Sequence, residues 1–376
     1  MVKLNNKFTN IGTEEEVRKI AKEARLEKVS FVLFFASEKF DFDMVSRVIN
    51  EEYPDVPVVG GISTGEINEL GYTDSTITIN VIYGDDFEVK AIRLTRLTEK
   101  AMVYKRRIRR ALSELKLDLN EEGIEDKYFA ISLIDYSTAQ EESLMTMISN
   151  TLKNKYWKLA GGSVGNIVTG KSAVSINGNV LHDAGALILV KTDKKVIVQH
   201  ENIYKPVGKL HRVTSASIED RRGITADGIP FAELYAKECN VPVGKLDEKL
   251  FSKTPIGRIV GENKYIASPI SVNGDGSINF YTRVMTGAPF YFMESDDIIQ
   301  CTHKTADFIK NSMKKPELII GFNCILRYLR MQDENVQKDV YSIINGVAPY
   351  CGFTTLGEQI DKTQVNQTLT YIVIGE

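Results

Sequence analysis

The residues best able to do chemistry in this chain fall into two short segments and one pair of isolated amides. Arg327 follows an apolar run, Leu318–Phe322, and sits in a loop or a first helical turn. A guanidinium there can grip a carboxylate through two parallel hydrogen bonds, or close an ion pair with a neighbouring acid. Glu66 and Glu358 occupy matching places in two glycine-bearing segments, Gly60-Gly61-Ile62-Ser63-Thr64-Gly65-Glu66 and Gly352-Phe353-Thr354-Thr355-Leu356-Gly357-Glu358. Either carboxylate can take an ammonium group, or accept backbone N–H bonds as a turn cap. Ser63, Thr64, Thr354 and Thr355 add a hydroxyl rim, and Asn323 and Asn366 can supply amide hydrogen bonds. A cation, an anion and amides together suit a small zwitterion such as an amino acid.

Catalysis is the weaker expectation. Cys324 ends a strand near Arg327, which would lower its pKa and favour a thiolate, but cysteine chemistry also needs a base. The histidines, His182, His200, His211 and His303, stand in no catalytic spacing. A buried inert thiol accounts for Cys324 equally well. Haem would need an axial ligand and a wide apolar cavity, with His182 and His303 as the candidates. The expectation is therefore no enzyme and no cofactor, with haem as the alternative.

The elements that must position these residues repeat. Val29–Phe35 is a continuous apolar run suited to a buried strand. A helical pattern with Met44, Val45, Val48 and Ile49 follows, then Gly60-Gly61. The same order returns at Tyr128–Ile134, Leu144-Met147-Ile148-Leu152 and Gly161-Gly162-Ser163-Val164-Gly165-Asn166, with Asp135 and Ser137 placed like Asn323 and Cys324. It returns again at Leu318–Phe322, Val336-Val340-Ile343-Ile344 and Cys351-Gly352. Glycine at such strand ends permits positive φ or close backbone approach. Hairpins are expected at Asn177-Gly178, flanked by Lys171–Ile176 and Ala184–Val190, and at Asn273–Gly276. Strands are expected at Ser75–Tyr83 and Thr368–Ile374, and a helix at Pro230–Cys239. The fold class is α/β: repeated β-loop-α-β units with glycine-rich strand ends plus β-hairpins. A polar stretch near residues 192 to 205 divides the chain into two adjoining halves, 1–199 and 200–376.

Composition narrows the partners. The net charge of −3 argues against nucleic acid. One basic run, Lys105 to Arg110, lies on a helical pattern with Ala101, Tyr104, Ile108, Ala111 and Leu115; it is a solvated face or a docking patch for an acidic partner. Four scattered cysteines and no leader-like N-terminus point to the cytoplasm. No apolar run nears the roughly 18 residues that a membrane span needs.

Taken together, these segments resemble the FIST proteins, built from adjoining FIST N and FIST C halves. Val58–Ile67 (VVGGISTGEI), Gly161-Gly162-Ser163 and Asp183-Ala184-Gly185-Ala186 are similar to the N half. Phe322-Asn323-Cys324-Ile325-Leu326-Arg327, Cys351–Ile360 and Asn366-Gln367-Thr368-Leu369-Thr370 are similar to the C half. The resemblance implies a prokaryotic sensory protein that binds a small ligand such as an amino acid. It also implies signalling through a separate partner such as a chemoreceptor, histidine kinase or cyclic-nucleotide enzyme, since no spare length remains for an output domain. A haem-binding, nitric-oxide-sensing subset exists, but Thr254 stands where many relatives carry His, which counts against haem here.

Overall fold

The structure is a computed structural model that describes residues 1–100, 103–152, 158–261 and 263–376. Ala101 of the basic helical pattern lies outside them. The chain forms two compact units. The first holds Met1–Glu201, Thr302–Gln364 and Leu369–Glu376, and the second holds Asn202–Cys301 and Val365–Thr368. The polar stretch near 192 to 205 thus contains one boundary. Beyond it, the chain leaves the first unit and returns at Thr302, so residues 302–364 fold with the N-terminal residues.

The expected threefold repeat is present in the first unit and is longer than the sequence pattern suggested. Each copy runs strand, helix, strand, helix, strand, short hairpin, strand. In the first copy Val2–Thr9, Glu14–Glu23, Phe31–Ser37, Phe42–Glu52 and Val58–Ser63 lead through a hairpin to Ile77–Gly84. The second copy begins at Glu88–Thr95 and ends at Ala184–Lys191. The third begins at Lys195–Asn202 and ends at Thr368–Gly375, and the second unit is inserted after its opening strand. In the third copy the crossover is two helices, Ile325–Glu334 and Gln337–Asn345, divided at Asn335 in the left-handed region (φ 55°).

Three sheets result, and each borrows an edge. Phe31–Ser37 pairs parallel with Val58–Ser63 and antiparallel with Ile77–Gly84. Tyr128–Asp135 and Pro316–Cys324 do the same with their own neighbours. The hairpin that follows each glycine strand then leaves its own sheet. Gly65–Asn68 joins the third copy's Tyr350–Thr355, with Glu66 opposite Phe353. Glu358–Ile360 joins the second copy's Leu159–Val164, with Glu358 opposite Gly162. Val174–Ile176 joins the first copy's Val58–Ser63, with Val174 opposite Gly61. The exchange closes on itself. The Asn177-Gly178 turn has both residues at positive φ, as a two-residue hairpin requires. Its arms are Val174–Ile176 and Asn179–Leu181; Ala184–Lys191 pairs in a different sheet from the one expected.

One face of every sheet meets a shared apolar core, in which Phe35, Phe129, Val164, Phe322 and Phe353 come from all three copies. Phe35 and Phe353 stack with ring centroids 4.2 Å apart. The other face lies under the copy's own helices. Burial on both faces explains the continuous apolar strands. The register also explains the glycines. Gly60, Gly161 and Gly352 stand opposite Phe34, Ser132 and Gly321, and a Cβ on any of the three would overlap that partner's carbonyl oxygen. Close strand approach is the requirement common to all three; only Gly352 also has φ in the positive range.

In the second unit the strands Tyr204–Ser217 and Pro289–Ser295 pair antiparallel, and Phe231–Glu238 is the expected helix. Pro269–Val272 and Ile278–Phe280 form the hairpin around Asn273–Gly276. Its core gathers Phe231, Tyr235, Phe251, Phe290 and Phe292.

Candidate functional site

The three glycine segments converge within the first unit, and most of their polar side chains are buried. Ser63 donates to Glu66 across three residues at 2.6 Å, and Thr355 donates to Glu358 across the same step at the same distance. Glu66 also accepts from the Thr76 hydroxyl at 2.6 Å and the Thr76 backbone N–H at 3.2 Å. No cation is among these donors. Complete burial outweighs them and pushes the Glu66 carboxyl up to about 8, so at neutral pH it is mostly protonated. The second copy has no Gly-Glu step. Its Ser163 donates to Glu141 at 3.0 Å and accepts from Gln359 of the third copy at 3.1 Å. Thr64, half-buried, donates to the Gly165 carbonyl at 3.0 Å and so ties the first copy to the second.

Arg327 lies at the opposite pole of the chemistry. It is in the first turn of Ile325–Glu334 and is wholly buried. Its guanidinium pairs with Glu201, donates to Asn323 Oδ1 at 2.6 Å, and approaches Met331 Sδ at 3.2 Å and Thr302 Oγ1 at 3.4 Å. Burial opposes its charge, but Glu201 beside it more than offsets this and raises its pKa. Arg327 Nε, Glu201 Oε2 and Thr354 Oγ1 are buried without a hydrogen-bond partner among the described residues. Tyr72 and Tyr350 hydroxyls meet at 3.0 Å, and Tyr72 stacks on Tyr328, the residue after Arg327, at 5.9 Å.

The expected residues therefore separate into groups. Asn323 and Arg327 meet directly. Thr354 lies opposite Asn323 in the parallel pair, and opposite Gly65 on its other side. Ser63 with Glu66, and Thr355 with Glu358, make matching hydrogen bonds across three residues. Cys324 is buried and caps the helix that carries Arg327. By register it is matched by Asp135 of the second copy, each opposite the end of its glycine strand; the expected match to Ser137 is displaced. Asn366 belongs to the second unit, where its Oδ1 accepts from the Ser268 N–H at 3.5 Å. His182 shares a hydrogen bond with the Ser172 carbonyl at 2.9 Å, and His303 is exposed. Thr254, at the position of the expected haem histidine, spends its hydroxyl on the Leu250 carbonyl at 2.9 Å.

Sequence reasoning missed Glu201, Thr302, Tyr72 and Thr76. Glu201 is 126 residues from Arg327, and only the repeat's full length would have suggested that the strand before Asn202 belongs beside the closing strand. The acid beside Arg327 is thus Glu201, whereas Glu66 has only hydroxyl and amide donors.

Among the described residues no helix is long and apolar enough to cross a membrane, and no group of three or more His, Cys, Asp or Glu side chains is placed to hold a metal. No curated protein matches the sequence. Among solved structures, a chorismatase covers 99% of this chain and 98% of its own at 7% identity with a TM-score of 0.38. A cyanuric acid hydrolase from A. caulinodans covers 100% and 99% at 7% identity with a TM-score of 0.35. Likenesses this distant carry no functional conclusion. The family models are decisive: the FIST N domain matches residues 30–226 and the FIST C domain matches residues 232–361. FIST domains are sensory signal-transduction domains, and this chain belongs to that family.

Proposed function

We propose that this chain is a cytoplasmic sensor whose ligand is an amino acid or a similar zwitterion, taken at the Arg327–Glu201 pair, and that it signals through a separate protein such as a chemoreceptor, histidine kinase or cyclic-nucleotide enzyme. One observation carries this reading. Two opposite charges are held side by side in a buried place, and each keeps a polar atom, Arg327 Nε and Glu201 Oε2, without a partner. A zwitterion can replace each half of that pair without leaving a charge unpaired. Its carboxylate takes the Arg327 fork, and its ammonium takes Glu201. Buried charges must stay paired, and this exchange keeps them so.

The exchange also supplies a signal. Arg327 is carried in the first turn of Ile325–Glu334 and is wholly buried, so ligand entry needs the groups packed around it, that helix among them, to move. A ligand that favours the moved helix shifts the population towards it. Asn323, in contact with Arg327, orients the bound carboxylate.

A thermal-shift screen over the standard amino acids tests this. At least one is expected to raise the melting temperature of the wild-type chain. The shift should vanish in Glu201→Gln and in Arg327→Lys, which keeps the charge but loses the planar fork. Flat melting curves across the panel would overturn the reading.

A further inference from the structure

The helix Tyr104–Glu114 is at odds with its own surroundings. Its sequence, YKRRIRRALSE, places Lys105, Arg106 and Arg107 in the first turn, where the helix dipole favours acids, and no acid is there. Lys105 and Arg109, and Arg106 and Arg110, are like charges one turn apart, an arrangement that opposes the helix. The corresponding helix of the first copy, Glu14–Glu23, opens with Glu14, Glu15 and Glu16, as the dipole prefers. Tyr104, Ile108, Ala111 and Leu112 are buried in the unit's own core, which holds the helix in place despite its charges.

Only part of that charge is answered locally. Arg110 meets Glu114 at 2.8 Å, Lys90 meets the same carboxylate at 2.9 Å, and Arg107 donates to the Arg93 carbonyl at 2.7 Å. Lys105, Arg106 and Arg109 make no ion pair among the described residues. Arg106 and Arg109 are exposed, and Lys105 is half-buried. Lys90 and Arg93 on the neighbouring strand, with Arg107 and Arg110, line a shallow groove on one flank of the helix, and Arg109 lines a second hollow with Lys116 on the other, so the basic surface wraps the exposed side of the helix. A run of like charges that its own surroundings answer only in part marks a place suited to an outside partner.

We infer that this basic face is the docking surface for an acidic segment of the signalling partner, a stretch of Asp and Glu laid along the helix. The inference rests on the reading that the chain signals through a separate protein. Nucleic acid fits less well, because Glu114 sits in the groove, the chain's net charge is −3, and the exposed side of Tyr104–Glu114 has no aromatic ring for a base. A membrane surface fits less well, because the helix's apolar stripe is buried in its own core and cannot insert.

Fluorescently labelled poly-L-glutamate is the probe, measured by anisotropy with the full chain. The wild type should bind, with affinity falling steeply as salt rises. K105E/R106E/R109E should weaken binding at least tenfold. K237E/K245E/K249E, with the same charge change on exposed lysines elsewhere, should leave it within about twofold. Equal losses in both variants, or no binding by the wild type, would overturn the inference. So would tighter binding of duplex DNA or of anionic phosphatidylserine vesicles at the same salt. A salt-labile dimer in sedimentation, lost in K105E/R106E/R109E, would assign the face to a second copy instead. The amino-acid thermal shift measured on K105E/R106E/R109E keeps the two readings apart: it should persist there, so failure at the helix leaves the ligand site standing.

Discussion

Glu66 and Glu201 are both buried carboxylates in the first unit, and they meet opposite fates. Glu66 is surrounded by Ser63 and Thr76, which can donate hydrogen bonds but no charge. It gives up its own charge instead, with its pKa pushed up to about 8. Glu201 faces Arg327, and the two form a buried ion pair. Hydrogen bonds alone do not repay the loss of water around an anion, and an adjacent cation does more. A zwitterion needs charged partners, so Glu201 with Arg327 is the place for it. Glu66 is a protonated strut in the strand exchange.

Removing one half of the charged pair should have the largest effect. Arg327→Leu leaves Glu201 buried and unpaired and is expected to cost about 3–5 kcal/mol in urea denaturation. Adding Glu201→Leu should recover most of that loss, because two apolar groups strand no charge. If the double variant is no better than the single, the cost lies in packing and the comparison fails.

The neutral carboxyl should respond to pH in a direction that can be worked out. Its pKa rises from the ordinary 4.5 to about 8 on folding, so between those values the folded chain binds the extra proton. Stability from this group is present in full below about pH 4.5, declines as pH rises, and levels off above about 8. At about 1.4 kcal/mol per unit the span is on the order of 5 kcal/mol. Glu66→Gln mimics the protonated form. It should match the wild type near pH 4 and become progressively more stable than it up to about pH 8, with the difference constant above that. Parallel stability–pH curves for the two proteins would show Glu66 to be ionised in the fold.

Smaller effects probe the scaffold that holds both sites. Gly161→Ala puts a methyl group against the Ser132 carbonyl and is expected to cost about 1–3 kcal/mol by overpacking. Gly123→Ala meets nothing within 4 Å and serves as contrast, its cost confined to a φ of 76°. Thr64→Val removes one hydrogen bond to the Gly165 carbonyl and should cost about 1 kcal/mol. A loss in Thr64→Val as large as that in Arg327→Leu would place the critical tie between copies rather than at the ion pair.

Much of the fold was legible because it is written in local signals. Apolar runs buried on both faces, helical spacing and the glycine strand ends marked every parallel pair. Asn177-Gly178 announced its turn, though not which strands it joins. What stayed hidden was non-local. The hairpin exchange sends Gly65–Asn68 to the third copy's sheet, and nothing in those four residues names the partner strand. The same holds for Glu201, whose partner is set by the pairing of Lys195–Asn202 with Thr368–Gly375. The glycines were legible as close-approach positions. The approach proved to be strand against strand, so Gly60, Gly161 and Gly352 are explained by the scaffold without a ligand.

Calorimetric titration of the amino acid that gives the largest thermal shift, into the wild type, Glu201→Gln and Glu66→Gln at pH 7, separates the two carboxylates most directly. Binding should be abolished in Glu201→Gln and unchanged within about twofold in Glu66→Gln, since a group already protonated loses nothing on becoming an amide. Binding that survives in Glu201→Gln and disappears in Glu66→Gln would contradict the assignment of the site to the charged pair.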